Sequence, residues 1–317
     1  MENIEIREVA EPFLPVGNQV QVRVRAAGLN RADLFQVRGL YPAPQGYSSN
    51  IPGLEFAGEV TATGDEVTSV KTGDRVFGIT AGEAQAEYLS IDASLLTIIP
   101  ANLGLAEAAA VPEAFITAHD AIFTLGELKS GETLLVHAVG SGVGLAALQI
   151  AKARGAQVLG TSRTVAKLVS CIEFGIDTGI TIENEADFAS TVMARTDGCG
   201  ADVILDLVGA AYFQENLASL ALKGRLILVG LTSGRTAEFN LGLALQKRAS
   251  IIGTVLRSRP MEEKAAATRN FANEVVPLFE NGKIKPNLDR VFPAKDVIEA
   301  YKYLESNESF GKVVLEF

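Results

Sequence analysis

The chain has 317 residues, of which 48% are hydrophobic, and these values predict one large domain or two smaller ones with ample core. The formal net charge of −10 argues against nucleic acid as the main partner, because phosphate binding needs concentrated lysine and arginine. No apolar run reaches the roughly 18 residues of a membrane span, and the charged N-terminus has no signal-peptide core. We therefore expect a cytoplasmic protein without a membrane partner.

Short β-type runs alternate with turns in the first part of the chain. Turn signals such as Ala62-Thr-Gly-Asp65 and Lys71-Thr-Gly-Asp74 separate the runs. The predicted strands span residues 19–26, 58–62, 75–79 and 85–91. This pattern predicts a small, mostly β domain that begins with residues 1–114.

Strands and helices alternate over residues 115–256, which is typical of a doubly wound parallel sheet of the α/β class. The predicted strands are 134–138, 158–161, 179–182, 203–207, 226–229 and 250–255, and the helices between them include 186–194 and 211–221. Residues 257–317 contain a long helix at 262–280, a short strand, a helix at 295–306 and a strand at 311–316. We expect this last part to return to the first domain.

A glycine-rich turn follows the first predicted strand of the central part. The stretch Leu134-Leu-Val-His-Ala-Val-Gly-Ser-Gly-Val-Gly-Leu145 ends an apolar run in a glycine cluster and leads into a small-residue helix at 146–153. Gly142-x-Gly144-x-x-Ala147 matches the dinucleotide fingerprint, in which glycines admit a pyrophosphate to a helix N-terminus. We expect a dinucleotide to contact Ser141, Gly142, Val143 and Gly144.

The next predicted strand ends where the ribose of such a cofactor is recognised. An NAD-preferring site usually carries an acidic residue about 20 residues after the fingerprint. This chain has Thr161-Ser162-Arg163 there, with Lys167 four residues later and no carboxylate to repel a 2′-phosphate. We predict NADPH, bound by Ser162, Arg163 and Lys167; alternatively, the two cations are solvated residues at a helix start.

The composition gives little support for metal binding or disulfide bonds. The two cysteines, Cys171 and Cys199, are not spaced as a metal motif, and we expect each to be a small buried residue. The two histidines are His119 and His137, whereas a catalytic zinc ion usually takes three protein ligands rich in His and Cys. The sequence therefore predicts no metal site, and we interpret His137 as a packing residue beside the glycine turn.

Short motifs along nearly the whole chain carry a family resemblance. Besides the glycine turn they are Ala26-Ala-Gly-Leu-Asn-Arg-Ala-Asp33, Gly39-Leu-Tyr-Pro42, Pro52-Gly-Leu-Glu-Phe-Ala-Gly58, Ala110-Val-Pro-Glu-Ala114, Ile116-Thr-Ala118 and Leu256-Arg-Ser-Arg259. With them the chain resembles the zinc-free quinone oxidoreductases of zeta-crystallin type in the medium-chain dehydrogenase/reductase superfamily, especially the tumour-suppressor-inducible quinone reductases. The resemblance implies a GroES-like catalytic domain, a Rossmann nucleotide domain and a homodimer.

The chain departs from the zinc alcohol dehydrogenases of that superfamily at their metal positions. Asn30 stands where they carry a Cys, and Gly53-Leu54-Glu55 where they carry Gly-His-Glu. Compared with the quinone reductases, Val139 and Ser141 replace the first two fingerprint glycines, and Ile180-Thr-Ile182 lacks a Tyr that often faces the 2′-phosphate. We therefore expect a softer preference for NADPH. The resemblance also implies a strand ahead of Glu2, so we expect the first sheet to lack an edge partner there.

The resemblance also implies where substrate and cofactor bind. It places Asn30, Tyr41 and Thr117 at the nicotinamide end of the site, although Asn30 also suits the cap of a helix beginning at Arg31. Tyr41 stacks on a flat substrate or donates to its carbonyl, or is only a turn residue. The other residues expected at the cofactor are Gly209, Gly230, Leu231, Leu256 and Ser258.

Four charged residues near these positions have open roles. Arg257 and Arg259 either reach a phosphate or are solvated. Glu55 is either a remnant of a zinc site or a functional carboxylate, and Glu113 is either a helix cap or such a carboxylate. None of them stands out as a proton donor.

The lead hypothesis is an NADPH-dependent quinone oxidoreductase that uses no metal. A quinone suits a site without an evident proton donor, because the hydroquinone product takes its protons from water, and positioning does most of the work. One alternative is an NADPH-dependent reductase of α,β-unsaturated carbonyls or enoyl thioesters, for which Tyr41 is the candidate donor. Another is a non-catalytic, NADPH-binding or redox-sensing protein.

Overall fold

The computed structural model describes residues 4–183 and 186–317. The chain divides into two compact units. The first combines Met1–Ile116 with Leu256–Phe317, and the second is Thr117–Val255. Among the described residues, no helix has both the length and the apolar character needed to cross a membrane. The expected upstream strand concerns Glu2, which lies outside the described residues.

The first unit is built mainly from strands. Its strands are β1 (Gln19–Leu29), β2 (Glu55–Thr63), β3 (Arg75–Ile79), β4 (Tyr88–Asp92), β5 (Leu96–Ile98), β12 (Leu288–Pro293) and β13 (Lys312–Glu316). Its helices are α1 (Arg31–Val37), α2 (Leu105–Ala109), α9 (Met261–Glu274), α10 (Val276–Glu280) and α11 (Val297–Ser306), and α3 (Pro112–His119) begins in it.

These strands form one sheet in the order β12-β13-β1-β2-β3-β5, with β4 also paired to β1. Strands β12 and β13 run parallel, and the other pairs are antiparallel. Val20, Val22 and Val24 of β1 alternate into a core with Phe56 and Leu95, as expected for β-branched and aromatic residues on one face of a pleated strand. The register of β1 on β13 brings the first and last strands of the chain together.

The second unit alternates strands and helices. Its strands are β6 (Thr133–Val136), β7 (Gln157–Ser162), β8 (Thr178–Thr181), β9 (Ala201–Asp206), β10 (Leu220–Leu228) and β11 (Ser250–Gly253). Its helices are α4 (Gly142–Ala153), α5 (Val165–Cys171), α6 (Ala189–Arg195), α7 (Phe213–Ser219) and α8 (Leu241–Lys247).

All strands of the second unit pair in parallel, in the order β11-β10-β9-β6-β7-β8. The middle strands are buried on both faces, which explains why Leu134, Leu135 and Val136 form a continuous apolar run. The chain order reverses between β6 and β9, so the sheet has its topological switch point there, where open α/β sheets bind ligands. The predicted doubly wound parallel sheet and the mostly β first domain are confirmed.

Two local predictions were wrong. The expected helix over 262–280 is divided into α9 and α10, because Pro277 lacks the N–H that a continuous helix needs and Val275 lies between the two segments. Cys171 is buried as expected, but Cys199 is exposed, because it lies in the turn between α6 and β9.

Candidate active site

The turn after β6 presents the N-terminus of α4. Ala138 adopts a left-handed φ of 48°, and Val139 N donates to Thr161 O of β7 at 3.0 Å, so the turn crosses the ends of both strands. Ser141 caps α4, and its Oγ accepts from Gly144 N at 3.1 Å. The remaining N–H groups of the first helical turn, at Gly142 and Val143, have no intrahelical carbonyl partner and can bind an anion.

Gly144 is required by the packing of the helix on its own turn. A Cβ atom at this position would lie 2.5 Å from Ala138 O and 2.7 Å from Val139 O, which are backbone atoms. A side chain here would therefore displace the turn before any ligand is bound. Gly209 and Gly230 are required for a similar reason.

The turns after β9 and β10 approach each other closely. Gly209 has a φ of 92°, and a Cβ atom there would lie 2.9 Å from Gly234 O. A Cβ atom at Gly230 would lie 2.7 Å from Leu207 O. Leu231, beside them, is exposed. These glycines and Leu231 border the carboxyl ends of the strands, where we predict the cofactor to bind.

A buried chain of polar side chains crosses the switch point. Asp206 accepts from the N–H groups of Val208 and Gly209 and from Asn216 Nδ2 at 3.0 Å. His137 Nε2 donates to Asn216 Oδ1 at 2.5 Å, which leaves Nδ1 to accept from the Thr161 hydroxyl at 2.9 Å. Burial lowers the pKa of His137, against the opposing effects of Asp206 and Asn216, and so favours the neutral ring. These hydrogen bonds connect the ends of β6, β7 and β9. The sequence analysis did not predict them, because Asn216 comes from a helix.

The three residues predicted at the 2′-phosphate lie at the end of β7 and the start of α5. Ser162 is buried and its Oγ accepts from Thr164 N, whereas Arg163 is exposed and Lys167 is partly exposed. Arg163 is close enough to Tyr212 to lower the pKa of its phenol, although burial is the larger influence and raises it. The exposed guanidinium remains a predicted phosphate ligand.

In the first unit, a carboxyl cluster surrounds one lysine. We use this name for Asn30, Asp33, Glu55, Glu113 and Lys312. Lys312 Nζ donates to Leu29 O at 2.8 Å, to Asn30 Oδ1 at 2.7 Å and to Glu55 Oε1. The three N–H groups of the ammonium are thus all used, and Asn30 Nδ2 donates to Glu55 Oε1 at 2.8 Å.

Asn30 is the N-cap residue of α1, which begins at Arg31 as the sequence predicts, but its side-chain amide is engaged on both sides within the carboxyl cluster. Asp33 Oδ2 accepts from Asn30 N at 2.8 Å, and Asp33 Oδ1 accepts from Gly53 N at 3.3 Å. Burial raises the pKa of Asp33 to about 6, against the opposing effect of its backbone hydrogen bonds. The assignment of Asn30 to the nicotinamide end stays a prediction.

Glu113 lies at the start of α3, and its N–H donates to Glu55 Oε2 at 2.8 Å. Burial of its carboxyl group, reinforced by the nearby Glu55, raises the pKa of Glu113 to about 8. Thr117 lies one turn further along α3, and its buried hydroxyl has no hydrogen-bond partner within the part of the chain that the structure describes. An unpaired buried hydroxyl is costly, so it marks Thr117 as a residue that a ligand would satisfy.

The interpretation of Arg257 as a solvated residue was wrong, because its side chain is buried within the first unit. Its guanidinium donates to Ala81 O at 2.7 Å, to Tyr41 O at 3.1 Å and to Gln36 Oε1 at 2.5 Å. It also lies 4.8 Å from the centroid of the Tyr41 ring. Arg257 therefore fixes both the backbone and the ring of Tyr41, which is itself partly exposed.

The remaining predicted residues follow β11. Leu256 is buried and Ser258 is exposed, and both belong to the first unit. Arg259 Nε lies 4.0 Å from Glu263 of α9. Over residues 4–183 and 186–317, no three His, Cys, Asp or Glu side chains are grouped as a metal site would require.

Family models match both parts of the chain. One described as “Alcohol dehydrogenase GroES-like domain” matches residues 17–121, and one described as “Zinc-binding dehydrogenase” matches residues 142–273. A quinone oxidoreductase of Pseudomonas aeruginosa is 35% identical over 99% of this chain and 95% of its own length. The chain is also 33% identical, over 95% of its residues, to a component of the phenolphthiocerol/phthiocerol polyketide synthase of Mycobacterium tuberculosis, of which it spans 14%.

Solved structures share the fold. The quinone oxidoreductase of Escherichia coli, in complex with NADPH, superposes with a TM-score of 0.86 at 31% identity, covering 98% of this chain and 95% of that chain. The CurK enoyl reductase superposes with a TM-score of 0.86 at 27% identity, covering 98% of this chain and 94% of that chain.

Proposed function

Since this chain belongs to the quinone oxidoreductase family of medium-chain dehydrogenases/reductases, we propose that it is an NADPH-dependent quinone reductase. The observation that carries the proposal is the switch point of the second unit. There the free N–H groups of α4 lie one strand away from the exposed Arg163. This arrangement suits a dinucleotide with a 2′-phosphate. When bound, the cofactor supplies a hydride to the acceptor.

The residues of the second unit have distinct roles in holding the cofactor. The first turn of α4, at Ser141, Gly142, Val143 and Gly144, binds the pyrophosphate. Ser162, Arg163 and Lys167 bind the 2′-phosphate. The turns with Gly209, Gly230 and Leu231 border the cofactor, and Leu256 and Ser258 stay predicted cofactor residues.

Tyr41 and Thr117 bind the acceptor. A quinone is flat, so the Tyr41 ring, which is held by Arg257, offers it a stacking surface. The unpartnered Thr117 hydroxyl donates to a quinone oxygen. Asn30 supports this region through the carboxyl cluster.

The proposed reaction uses no metal. The medium-chain dehydrogenase/reductase superfamily includes zinc enzymes, but the donors at the corresponding position of this chain do not fit a zinc ion. Asn30 Oδ1 and Glu55 Oε1 already bind a cation, the Lys312 ammonium, and a catalytic zinc ion takes mostly His and Cys ligands.

The test is the initial rate of nicotinamide oxidation, measured with NADPH and with NADH. The acceptors are an ortho-quinone, a para-quinone, a simple enone and an enoyl thioester. Rapid NADPH oxidation by the quinones is the expected result. Absence of turnover with all four, despite tight NADPH binding, would favour a binding or redox-sensing protein instead.

A second candidate is reduction of α,β-unsaturated carbonyls or enoyl thioesters. Two observations favour it: the raised pKa of Glu113, which provides a protonated carboxyl group, and the similarity to the CurK enoyl reductase. Turnover with the enone or thioester alone would replace the quinone with this substrate class.

Arg163→Ala is predicted to weaken NADPH binding about tenfold, the equivalent of about 1.4 kcal/mol, because the 2′-phosphate loses its charge-assisted partner. The dissociation constant for NADH should change much less. Fluorescence titration with both cofactors measures the two effects, and Arg195→Ala, an exposed arginine on α6, is the control. Equal losses for both cofactors would remove Arg163 from the 2′-phosphate site.

We further propose a homodimer that forms through the edge of the second sheet. Strand β11 ends the sheet and exposes Ile251, and the neighbouring α8 exposes Leu241 and Leu245, the latter by 79%. An exposed apolar sheet edge is suited to pairing with a second copy.

A further inference from the structure

Helix α3 begins against the buried part of the carboxyl cluster. Glu113 N donates to Glu55, which in turn bonds Asn30 and Lys312. Asp33, Glu55 and Lys312 are buried, whereas part of Glu113 reaches the surface. Glu113 is therefore the carboxyl group of the cluster that a bound molecule can reach.

Burial and the neighbouring carboxyl groups favour the protonated form of Glu113, and two cations oppose it. Five titratable or charged side chains face it. They come from five places in the first unit: Asp33 of α1, Tyr41 after α1, Glu55 of β2, Arg257 after β11 and Lys312 of β13. Burial contributes most to the raised pKa of Glu113, and Glu55 and Asp33 raise it further. Lys312 and Arg257 lower it, but Lys312 is already paired with Glu55. With a pKa of about 8, the group holds its proton at neutral pH.

We propose that Glu113 is a catalytic acid, which touches the substrate beside Tyr41 and donates a proton to the anion formed by reduction. This inference rests on the proposed reductase function and adds the residue that completes the chemistry. Glu113 lies one turn before Thr117 on α3, the residue whose buried hydroxyl a ligand would satisfy. Burial is the main cause of the raised pKa of Tyr41, the predicted stacking surface, and Glu113 is near enough to raise that pKa further.

The proton balance is simple for both acceptor classes. In an enone, the hydride adds to the β-carbon, the carbon–carbon π bond breaks, and an enolate forms. The O–H bond of Glu113 then breaks as a C–H bond forms at the α-carbon, and the carboxylate left behind regains a proton from water. In a quinone, the corresponding anion is the hydroquinone monoanion, and the new bond is O–H.

Glu113 is a better donor than Tyr41 at neutral pH. Burial raises the pKa of Tyr41 above its ordinary value of 10.0, although Arg257 opposes this. Proton transfer is most effective when the pKa of the donor is near the working pH, which is true of Glu113. The advantage matters most for the enolate carbon, because a hydroquinone oxygen exchanges protons with water readily.

Glu113→Gln tests the proposal, because it keeps the size of the side chain and removes the acidic proton. We expect kcat for the enone to fall about 100-fold or more, a typical contribution of general acid catalysis, and a clearly smaller fall for the para-quinone. The dissociation constant for NADPH should be close to that of the wild type. Glu87→Gln, at an exposed glutamate of the same unit, is the matched control.

The pH profile separates proton donation from a structural role. In the wild type, kcat should decline as pH rises through about 8. Glu113→Asp should retain a declining limb, and Glu113→Gln should lose it. An unchanged rate and profile in Glu113→Gln overturns the proposal while leaving the reductase function intact, whereas no turnover by the wild type with any acceptor overturns both.

A direct titration gives a readout independent of turnover. With ¹³C-labelled glutamate side chains in the full chain, one carboxyl resonance should titrate with a midpoint near 8 and be absent from Glu113→Gln. A Glu113 resonance that titrates near the ordinary value of 4.5 would overturn the proposal.

Discussion

Arg257 links a buried charge to the partly exposed aromatic ring of Tyr41. In the hydrogen bonds described above, its guanidinium donates to oxygens of neutral groups and not to a carboxylate. The acceptors are on Ala81, Tyr41 and Gln36. The planar fork both stacks on the Tyr41 ring and bonds its backbone, which an ammonium cannot do at once. We therefore expect Arg257 to set the position of Tyr41.

Arg257→Lys should raise KM for the acceptor about tenfold, corresponding to about 1.4 kcal/mol, with a smaller effect on NADPH affinity. Steady-state kinetics with a para-quinone, together with a cofactor titration, measures both. Arg269→Lys, at an exposed position on α9, is the control. A wild-type KM in Arg257→Lys would show that the lysine substitute positions Tyr41 equally well or that Tyr41 does not bind the acceptor.

At the residue scale, sequence reasoning identified side chains more readily than their partners. Asn30, Glu55 and Glu113 were recognised as noteworthy, but the ion pair with Lys312 was not, because 257 residues separate Glu55 from Lys312 along the chain. The role of Arg257 was missed for the same reason, since its acceptors lie in distant loops.

At the scale of elements, Lys312 connects β13 to other parts of the first unit. Its ammonium binds Glu55 of β2 and Asn30, the residue preceding α1. Replacing Lys312 with Met leaves the Glu55 carboxylate buried without its cation. We expect Lys312→Met to lower the free energy of unfolding by about 3–5 kcal/mol, the usual cost of breaking a buried pair. Urea denaturation measures the loss.

The control for this prediction is Lys302→Met, at an exposed position on α11, where the change should be within about 0.5 kcal/mol. In the double variant Lys312→Met with Glu55→Gln, part of the stability should return, because the uncompensated charge is gone. Full additivity of the two single losses would contradict the direct pairing.

The elements themselves were largely predictable, because apolar runs specify buried parallel strands and alternating patterns specify the first sheet. The boundaries were less accurate. Strand β10 begins at Leu220, inside the predicted helix 211–221, because pairing with β9 outweighs the local helical pattern there. Likewise, a pattern of apolar residues over 262–280 did not reveal the break at Val275.

At the scale of the whole molecule, the proposed dimer can be tested at β11. Ile251→Glu places a charge on the exposed edge and should shift the protein from dimer to monomer, because a buried unpaired charge opposes association. Light scattering after size-exclusion chromatography measures the mass. Ile172→Glu, at an exposed isoleucine elsewhere in the second unit, should remain dimeric. A monomeric wild type would rule the interface out.

The discontinuous make-up of the first unit has a consequence for the protein as it leaves the ribosome. The second unit, Thr117–Val255, is one uninterrupted segment and can fold as soon as it emerges. Strand β1, by contrast, can pair with β13 only after the C-terminal residues have been synthesised. The same holds for the ion pair between the buried Glu55 and Lys312. The chain between Glu55 and Lys312 is 257 positions long. At about 5–20 residues per second, the nascent chain therefore carries a strand β1 that lacks its β13 partner, and an uncompensated carboxylate, for about 13–51 s. During that interval the early strands are the part of the nascent chain most in need of a chaperone.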